Sequence, residues 1–149
     1  EITTDVIRRS MAIKANVVSD DERETKGYRT LLNFGHTIGH GLEAATEYGQ
    51  FLHGEAVSIG MTAASRIGQE LGVTPSQVVD RQDAVLRQFN LPVTCPDIDL
   101  ERVEAAMALD KKADGSSIWW VLLEEVGRAS LRNDVPQDLV RRVLRDLAG

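Results

Sequence analysis

The chain has 149 residues, of which 42% are hydrophobic and 27% charged, and its formal net charge is −6. This length fits one domain of moderate size with a real hydrophobic core. The acidic balance argues against a general nucleic-acid surface, which needs clustered basic residues. No apolar run approaches the roughly 20 residues that cross a bilayer. The single cysteine, Cys95, cannot form an internal disulfide, and this favours a reducing, cytoplasmic setting.

Hydrophobic periodicity predicts a mainly α protein with one small β-hairpin. No signal-peptide pattern is visible, and the chain starts at Glu1 directly in helix-like sequence, so we expect it to be part of a longer protein. The predicted helices span 4–18, 30–47, 54–71, 75–89, 100–109 and 136–147. A strand is predicted at 117–123, with its partner in "GRASLRND". The charged segment 19–27, the segment 90–99 and "DKKADGSS" at 110–117 are expected to be connectors or turns.

Helix ends and faces follow from particular residues. Thr74 is the expected N-cap of the fourth helix, with Pro75 at its first position. Gly72 is expected to end the third helix. In the second helix, Gly35 and Gly39 weaken helical structure by roughly 1 kcal/mol each, so we expect another element to approach the backbone closely there. The apolar stripes are expected at Val6, Ile7, Ala12 (or Met11), Ile13 and Val17 in the first helix, at Leu31, Phe34, Ile38, Leu42 and Ala45 in the second, and at Leu139, Val140, Val143, Leu144 and Leu147 in the last.

All three histidines of the chain fall between residues 36 and 53. His36 and His40 are four residues apart on the polar face of the predicted second helix, which they share with Asn33, Glu43 and Glu47, so both rings can point the same way. A metal chelate is one interpretation, because neutral imidazole is a common zinc ligand, and two ordinary surface or core histidines are the other. The motif is not H-E-x-x-H, because Thr37 stands where the glutamate would be.

His53, in "LHGE" at the start of the next helix, strengthens the metal interpretation, because an antiparallel helix pair would return it near His36. Catalytic zinc sites typically take three protein ligands and leave one position open. Glu55 is a further candidate, as a ligand or as an acceptor for an imidazole N–H. Its alternative role is that of a carboxylate in the first turn of a helix, favoured there by the helix dipole.

Cationic side chains surround this region in the sequence. Arg29 lies four residues before Asn33, Lys14 is on the first helix, and Lys111 and Lys112 are in the predicted turn. Together with a metal they suggest an anionic substrate, a phosphate or a carboxylate. Each lysine taken singly also fits a solvated surface charge. Neither a Walker motif nor G-x-G-x-x-G is present, so the chain by itself is not expected to bind a dinucleotide.

The same residues carry a family resemblance over nearly the whole chain. Residues 14–61 read "KANVVSDDERETKGYRTLLNFGHTIGHGLEAATEYGQFLHGEAVSIGM", and "DKKADG" followed by "WWVLLEEVG" comes later. This pattern strongly resembles the C-terminal, mainly helical domain of 3-dehydroquinate synthase, in the sugar-phosphate cyclase superfamily. The resemblance implies that residues 1–149 form that domain and that an NAD-binding domain precedes it. It also implies zinc or cobalt, tightly held NAD, a small sugar-phosphate substrate and a homodimer in the full-length enzyme.

The resemblance also assigns roles to individual residues. His36 and His53 are similar to two of three zinc ligands, and His40 to a catalytic residue that contacts substrate and does not bind the metal. Lys14, Arg29 and Asn33 are similar to catalytic and substrate-contacting residues, and Leu32 to a backbone contact. One lysine of the DKK segment is also implied, with Lys112 favoured over Lys111. No cofactor-binding residue is assigned to this chain.

Two features depart from the family pattern. The third family ligand is a glutamate in an A-E-x-x-K segment that would precede residue 1, and that segment is not in this sequence. The connector is one residue longer near Lys26, which affects the alignment of Lys14. Related cyclases carry similar motifs and make other cyclitols, so another sugar phosphate is an alternative substrate. A non-catalytic helical module is the alternative from a different class, and the fragment by itself is expected to be inactive.

Overall fold

The computed structural model describes residues 2–21, 27–114 and 118–149, and for 110–114 it describes the backbone alone. These residues form two compact units, Glu1–Asn33 and Phe34–Gly149. The mainly α class with a small hairpin is confirmed. Within the described ranges, the elements in chain order are α1 (Ile2–Asp20), a 3-10 helix (Arg29–Asn33), α2 (His36–Ala45), α3 (His53–Glu70), α4 (Ser76–Gln88), α5 (Leu100–Asp114), β1 (Trp120–Glu125), β2 (Arg128–Arg132) and α6 (Gln137–Ala148).

The first unit holds α1 and the 3-10 helix. The helix predicted at 4–18 is confirmed, but no residue of α1 is buried. Its apolar stripe includes Ile7, 54% exposed, and Ile13, 61% exposed. The periodicity therefore identified a helix correctly without identifying a buried face. Beyond α1, the backbone N–H of Tyr28 donates to the Asp21 carboxylate at 2.9 Å.

The prediction of a single helix at 30–47 is wrong. The 3-10 helix ends at Asn33, and α2 begins only at His36, after Gly35 adopts φ +81. Asn33 therefore does not belong to the helical face that carries His36 and His40. Glycine reaches positive φ without steric cost. A Cβ on Gly35 would stand 2.6 Å from the Met61 amide nitrogen, so the close approach of α3 also requires glycine here.

The second unit is built around the packing of α2 against α3. Ile38 and Leu42 of α2 and Ile59 and Ile67 of α3 are at most 1% exposed. A Cβ on Gly39 would lie 3.2 Å from Val57 Cα, so the predicted close backbone approach at this glycine is confirmed. At its other end α3 stops as predicted, with Gly72 at φ +70 following its C-cap.

The hairpin and α6 add to this core, and both β1 and α6 pack against α3. β1 and β2 are antiparallel, with a register running from Trp120 opposite Arg132 to Glu125 opposite Arg128. The predicted strand is confirmed but begins later, and residues 115–117 lie outside the described residues. The predicted apolar face of α6 is confirmed in full. All five of its residues are buried: Leu139, Val140, Val143, Leu144 and Leu147.

Two loop predictions need correction. Pro75 is the N-cap of α4, and the Thr74 hydroxyl instead donates to the Leu123 carbonyl at 2.6 Å. Thr74 thus ties the α3–α4 connection to β1 and does not cap the helix. The turn predicted to begin at residue 110 is also wrong in its position, because α5 continues to Asp114.

Cys95 lies in the predicted connector between α4 and α5, and it is fully buried. Its backbone N–H donates to the Leu147 carbonyl at 2.9 Å, which fastens the connector to α6. Burial raises the pKa of the Cys95 thiol to about 11, so the thiolate is disfavoured at neutral pH. The residue is therefore part of the core. Across the described ranges, no helix is both long enough and apolar enough to cross a membrane.

Candidate metal and substrate site

The three imidazoles lie together at one end of the α2–α3 pair. Ring centroids are 5.3 Å apart for His36 and His40, 5.5 Å for His36 and His53, and 6.1 Å for His40 and His53. His36 is the first residue of α2 and His40 follows one turn later. His53 is the first residue of α3. The connection between the helices turns through positive φ at Glu47 and Tyr48, and it returns the chain beside α2.

His53 is held by a buried carboxylate. Its Nδ1 lies 2.9 Å from Oε1 of Glu43, whose side chain is 10% exposed while that of His53 is 60% exposed. A buried carboxylate needs a partner to offset its desolvation. Because an ionised carboxylate only accepts hydrogen bonds, the proton of this bond comes from Nδ1 of His53. The Nε2 atom of neutral His53 then carries the lone pair.

His36 is half-buried and its Nδ1 faces the Phe34 carbonyl oxygen at 3.3 Å. A carbonyl is also an acceptor only, so His36 too keeps its proton on Nδ1 and its lone pair on Nε2. Burial is the main cause that lowers the pKa of His36 below 6.5. The Phe34 hydrogen bond opposes this shift, while His40 and His53 add to it. A neutral imidazole is the form that coordinates metals.

His40 differs from the other two. It is exposed, and in the described part of the chain no hydrogen bond to its ring is found. It lines an open groove of about 690 Å³ between α2 and α5, together with Glu43, Tyr48 and Arg102. Its ring is thus presented to an open space large enough for a small molecule.

Glu43 is the residue whose importance the sequence did not reveal. One ligand atom each from His40, Glu43 and His53 lie within 4.8 Å of one another, a spacing that could hold a metal ion. The sequence placed Glu43 on the polar face without assigning it a role. The sequence feature that could have identified Glu43 is its position three residues after His40, which places both side chains on the same helical face. Glu55 takes the second of the two roles that the sequence offered, that of a carboxylate in the first turn of a helix, because it accepts the Leu52 backbone N–H at 2.8 Å and caps α3.

The remaining predicted site residues lie elsewhere in the chain. Lys14 is exposed on α1. Arg29 and Leu32 are half-buried and Asn33 is exposed, all three in the 3-10 helix. These four residues belong to the first compact unit and the histidines to the second. Lys111 and Lys112 are on the last turns of α5, and their side chains lie outside the described residues.

A helical domain of this fold is found in sugar-phosphate cyclases. One solved structure that it resembles is "ValA (2-epi-5-epi-valiolone synthase)" from Streptomyces hygroscopicus subsp. jinggangensis 5008, with NAD⁺ and Zn²⁺ bound. That match has a TM-score of 0.81 and 27% identity over 97% of this chain and 39% of that one. Another is 2-deoxy-scyllo-inosose synthase complexed with carbaglucose-6-phosphate, NAD⁺ and Co²⁺, with a TM-score of 0.76 and 28% identity over 91% of this chain and 39% of that one.

The family follows from the sequence matches. Residues 1–113 match the family described as 3-dehydroquinate synthase C-terminal, and the chain belongs to this family. The 3-dehydroquinate synthase of Nitrosospira multiformis is 43% identical over 97% of this chain and 39% of its own length. That of Nostoc punctiforme is 40% identical over 99% of this chain and 40% of its own. The chain therefore spans about two fifths of the length of these relatives.

Proposed function

We propose that this chain is the C-terminal, metal- and substrate-binding part of a 3-dehydroquinate synthase. This enzyme converts 3-deoxy-D-arabino-heptulosonate 7-phosphate (DAHP) to 3-dehydroquinate and phosphate in the shikimate pathway, and so acts as a phosphate-eliminating carbon–oxygen lyase. Membership of the family and identities of 38 to 43% to five relatives of that name support the proposal. The single structural observation that carries it is the paired arrangement of His36 and His53.

The two histidines fit a metal site. Each has an oxygen acceptor at Nδ1, which leaves Nε2 as the atom with a free lone pair. Orientation of ligand histidines by such acceptors is the usual design of protein metal sites. His36 and His53 would therefore hold zinc or cobalt, and the third family ligand would come from chain outside this sequence. NAD would be bound mainly by that same missing part.

When bound, the metal would polarise substrate hydroxyl groups and lower their pKa. The chain's own residues would bind and orient the substrate. His40, which borders the open groove with both its ring nitrogens unoccupied in the described structure, would contact the substrate and exchange protons with it. Lys14, Arg29 and Asn33 would contact its phosphate, carboxylate or hydroxyl groups, and Leu32 would contribute a backbone group. From α5, Lys112, or else Lys111, would add a further cation.

The proposed function has consequences for the isolated chain and for the full-length enzyme. Since the third ligand and the NAD site lie outside it, the 149-residue chain alone should not turn over DAHP. It should also bind zinc weakly, with water completing the coordination. The full-length enzyme would be a cytoplasmic homodimer.

A chimera tests the proposed function. The chain is joined to the N-terminal part of the Nitrosospira multiformis relative, and phosphate release from DAHP is measured with NAD⁺ and zinc. Turnover is expected, and His40→Ala in the same chimera should abolish turnover while keeping zinc and stability. A folded chimera that binds zinc and NAD⁺ yet releases no phosphate from DAHP would contradict the proposal.

A second candidate is a cyclase that acts on another sugar phosphate. The structural similarity to 2-epi-5-epi-valiolone synthase and 2-deoxy-scyllo-inosose synthase favours it. Assaying the chimera with sedoheptulose 7-phosphate beside DAHP separates the two candidates. Faster turnover of sedoheptulose 7-phosphate would support the second.

A further inference from the structure

We propose that Glu43 is a positioning residue that fixes His53 in the Nδ1–H tautomer and so presents Nε2 of His53 to the metal. This inference rests on the proposed function for the metal itself. The tautomer, however, is a property of the chain alone. Neither the family resemblance nor the sequence spacing assigned a role to Glu43.

Glu43 is buried. The residue is 8% exposed, although it stands on the helical face that the sequence marks as polar. Its carboxylate would cost free energy in such a place without a partner. The Nδ1 atom of His53, 2.9 Å away, is that partner. The pair joins α2 to the first residue of α3, ten positions further along the chain.

The carboxylate of Glu43 can select one tautomer of His53. Neutral imidazole has one N–H and one lone pair, and the hydrogen bond made by one nitrogen decides the state of the other. A carboxylate oxygen cannot donate, so it selects the Nδ1–H form. His53 is largely exposed and nothing else described around it would fix its ring so firmly. Without Glu43, both tautomers and several ring orientations become accessible.

His36 and His40 differ in whether an acceptor faces Nδ1. At His36 the Phe34 carbonyl oxygen occupies the same position relative to Nδ1, at 3.3 Å. The exposed His40, within the described residues, has no such acceptor. The acceptor is therefore found on the two histidines proposed as ligands and not on the one proposed to contact substrate. At His53 a side chain, Glu43, accepts the hydrogen bond from Nδ1, whereas at His36 a backbone carbonyl accepts it.

The alternative role of Glu43 is that of a direct ligand, because its carboxylate lies within 4.8 Å of ligand atoms of His40 and His53. The two roles predict different effects when glutamine replaces Glu43. The carbonyl oxygen of a glutamine can still accept a hydrogen bond from Nδ1–H, but glutamine is a poor metal ligand. The variants Glu43→Gln and Glu43→Ala therefore distinguish them, and Glu47→Gln is the matched control. Glu47 is an acid in the connection that follows α2, and it pairs with Arg102 at the surface.

The first measurement is the long-range ¹H–¹⁵N correlation spectrum of the histidines in the metal-free chain at pH 8. His53 should be in the Nδ1–H form in the unaltered chain and in Glu47→Gln. It should be a mixture of tautomers in Glu43→Ala. A predominant Nε2–H form of His53 in the unaltered chain would overturn the proposal, and so would an unchanged spectrum in Glu43→Ala.

The second measurement is titration of the same proteins with Co²⁺, followed by visible absorption. Loss of an orienting partner typically weakens metal binding about 10- to 100-fold. We expect Glu43→Ala to fall in that range, Glu43→Gln to keep more affinity than Glu43→Ala, and Glu47→Gln to be unchanged. Equal loss in both Glu43 variants, with an altered absorption spectrum, would overturn the positioning role in favour of direct ligation. An unaltered chain with the expected tautomer that bound no Co²⁺ would instead contradict the metal site of the proposed function.

Discussion

Gly60 of α3 packs directly against the backbone of Gly35, the residue that precedes α2. A Cβ on Gly60 would overlap the Gly35 carbonyl oxygen and would lie 2.9 Å from the Gly39 amide nitrogen. These two backbone groups also hydrogen-bond to each other at 3.0 Å. The contact lets the start of α2 approach α3 closely at Gly60. The separation of His36 and His53 depends on this approach.

Substituting Gly60 by alanine should therefore destabilise the chain. The added methyl group meets backbone atoms, which cannot move aside as a flexible side chain would, so we expect a loss of at least about 2 kcal/mol in the free energy of unfolding. Urea denaturation measures it. The matched control is Gly54→Ala in the same helix, where a Cβ would meet no atom within 4 Å. That variant should be unchanged or more stable, because alanine favours a helix over glycine. Equal stability of the two variants would contradict the close contact.

Substitutions of Thr74 test whether its hydroxyl bonds to β1 or caps α4. Its buried hydroxyl donates to the Leu123 carbonyl, so Thr74→Val should lower the free energy of unfolding by about 1 kcal/mol. Thr74→Ser keeps a donor and should lose less. Thr74→Asp should be the least stable variant, since an aspartate caps helices well but cannot donate to a carbonyl. If Thr74→Asp were as stable as the unaltered chain in urea denaturation, a capping role would be restored.

The pair formed by Glu104 and Arg141 predicts a pH dependence of stability. Nε and one terminal nitrogen of Arg141 donate to the two Glu104 oxygens at 2.7 and 2.6 Å, joining α5 to α6. This hydrogen bonding is the main cause that lowers the pKa of Glu104. The unfolded chain then binds a proton on Glu104 more readily than the folded chain does. The stabilisation is therefore present above the ordinary glutamate pKa near 4.5 and is lost as pH falls through the lower folded value.

Thermal unfolding of Glu104→Gln at several pH values checks this sign. The variant should have a lower Tm than the unaltered chain at pH 7, and the difference should shrink as pH falls below about 4. Glu101→Gln, which changes an exposed acid on the same helix, should show little difference at either pH. A difference between Glu104→Gln and the unaltered chain that grew towards low pH would contradict the assignment.

Those parts of the fold that local periodicity decides were predictable from the sequence. The apolar face of α6 was predicted residue by residue, because a helix packed on a core must repeat apolar positions every three or four residues. In α1 the same periodicity predicted the helix and failed to predict burial. Periodicity indicates that a face can be buried, and the packing partner decides whether it is.

The break at Gly35 was not predictable in this way. Phe34 and Ile38 continue an apolar helical pattern across it, and one glycine costs a helix only about 1 kcal/mol. The conformation is decided by α3, whose Met61 and Val57 backbone atoms occupy the space beside Gly35. These contacts join residues that are 22 and 26 positions apart, beyond the reach of a local pattern.

The candidate site, too, was predictable only as far as local sequence spacing determines it. The spacing of His36 and His40 and the position of His53 brought all three histidines to one place, and the structure places them there. Spacing alone did not distinguish the histidines from one another. The difference lies in what faces each Nδ1, and Glu43 reaches His53 only because the chain folds back after α2.

Co²⁺ affinity of single histidine variants of this chain tests the central claim most directly. His36→Ala and His53→Ala should each reduce Co²⁺ binding at least about tenfold, because each would remove a ligand. His40→Ala should keep the affinity of the unaltered chain, because the proposed function assigns His40 to the substrate and not to the metal. Co²⁺ binding that survived His36→Ala and was lost in His40→Ala would contradict the account, and it would place the metal between His40, Glu43 and His53.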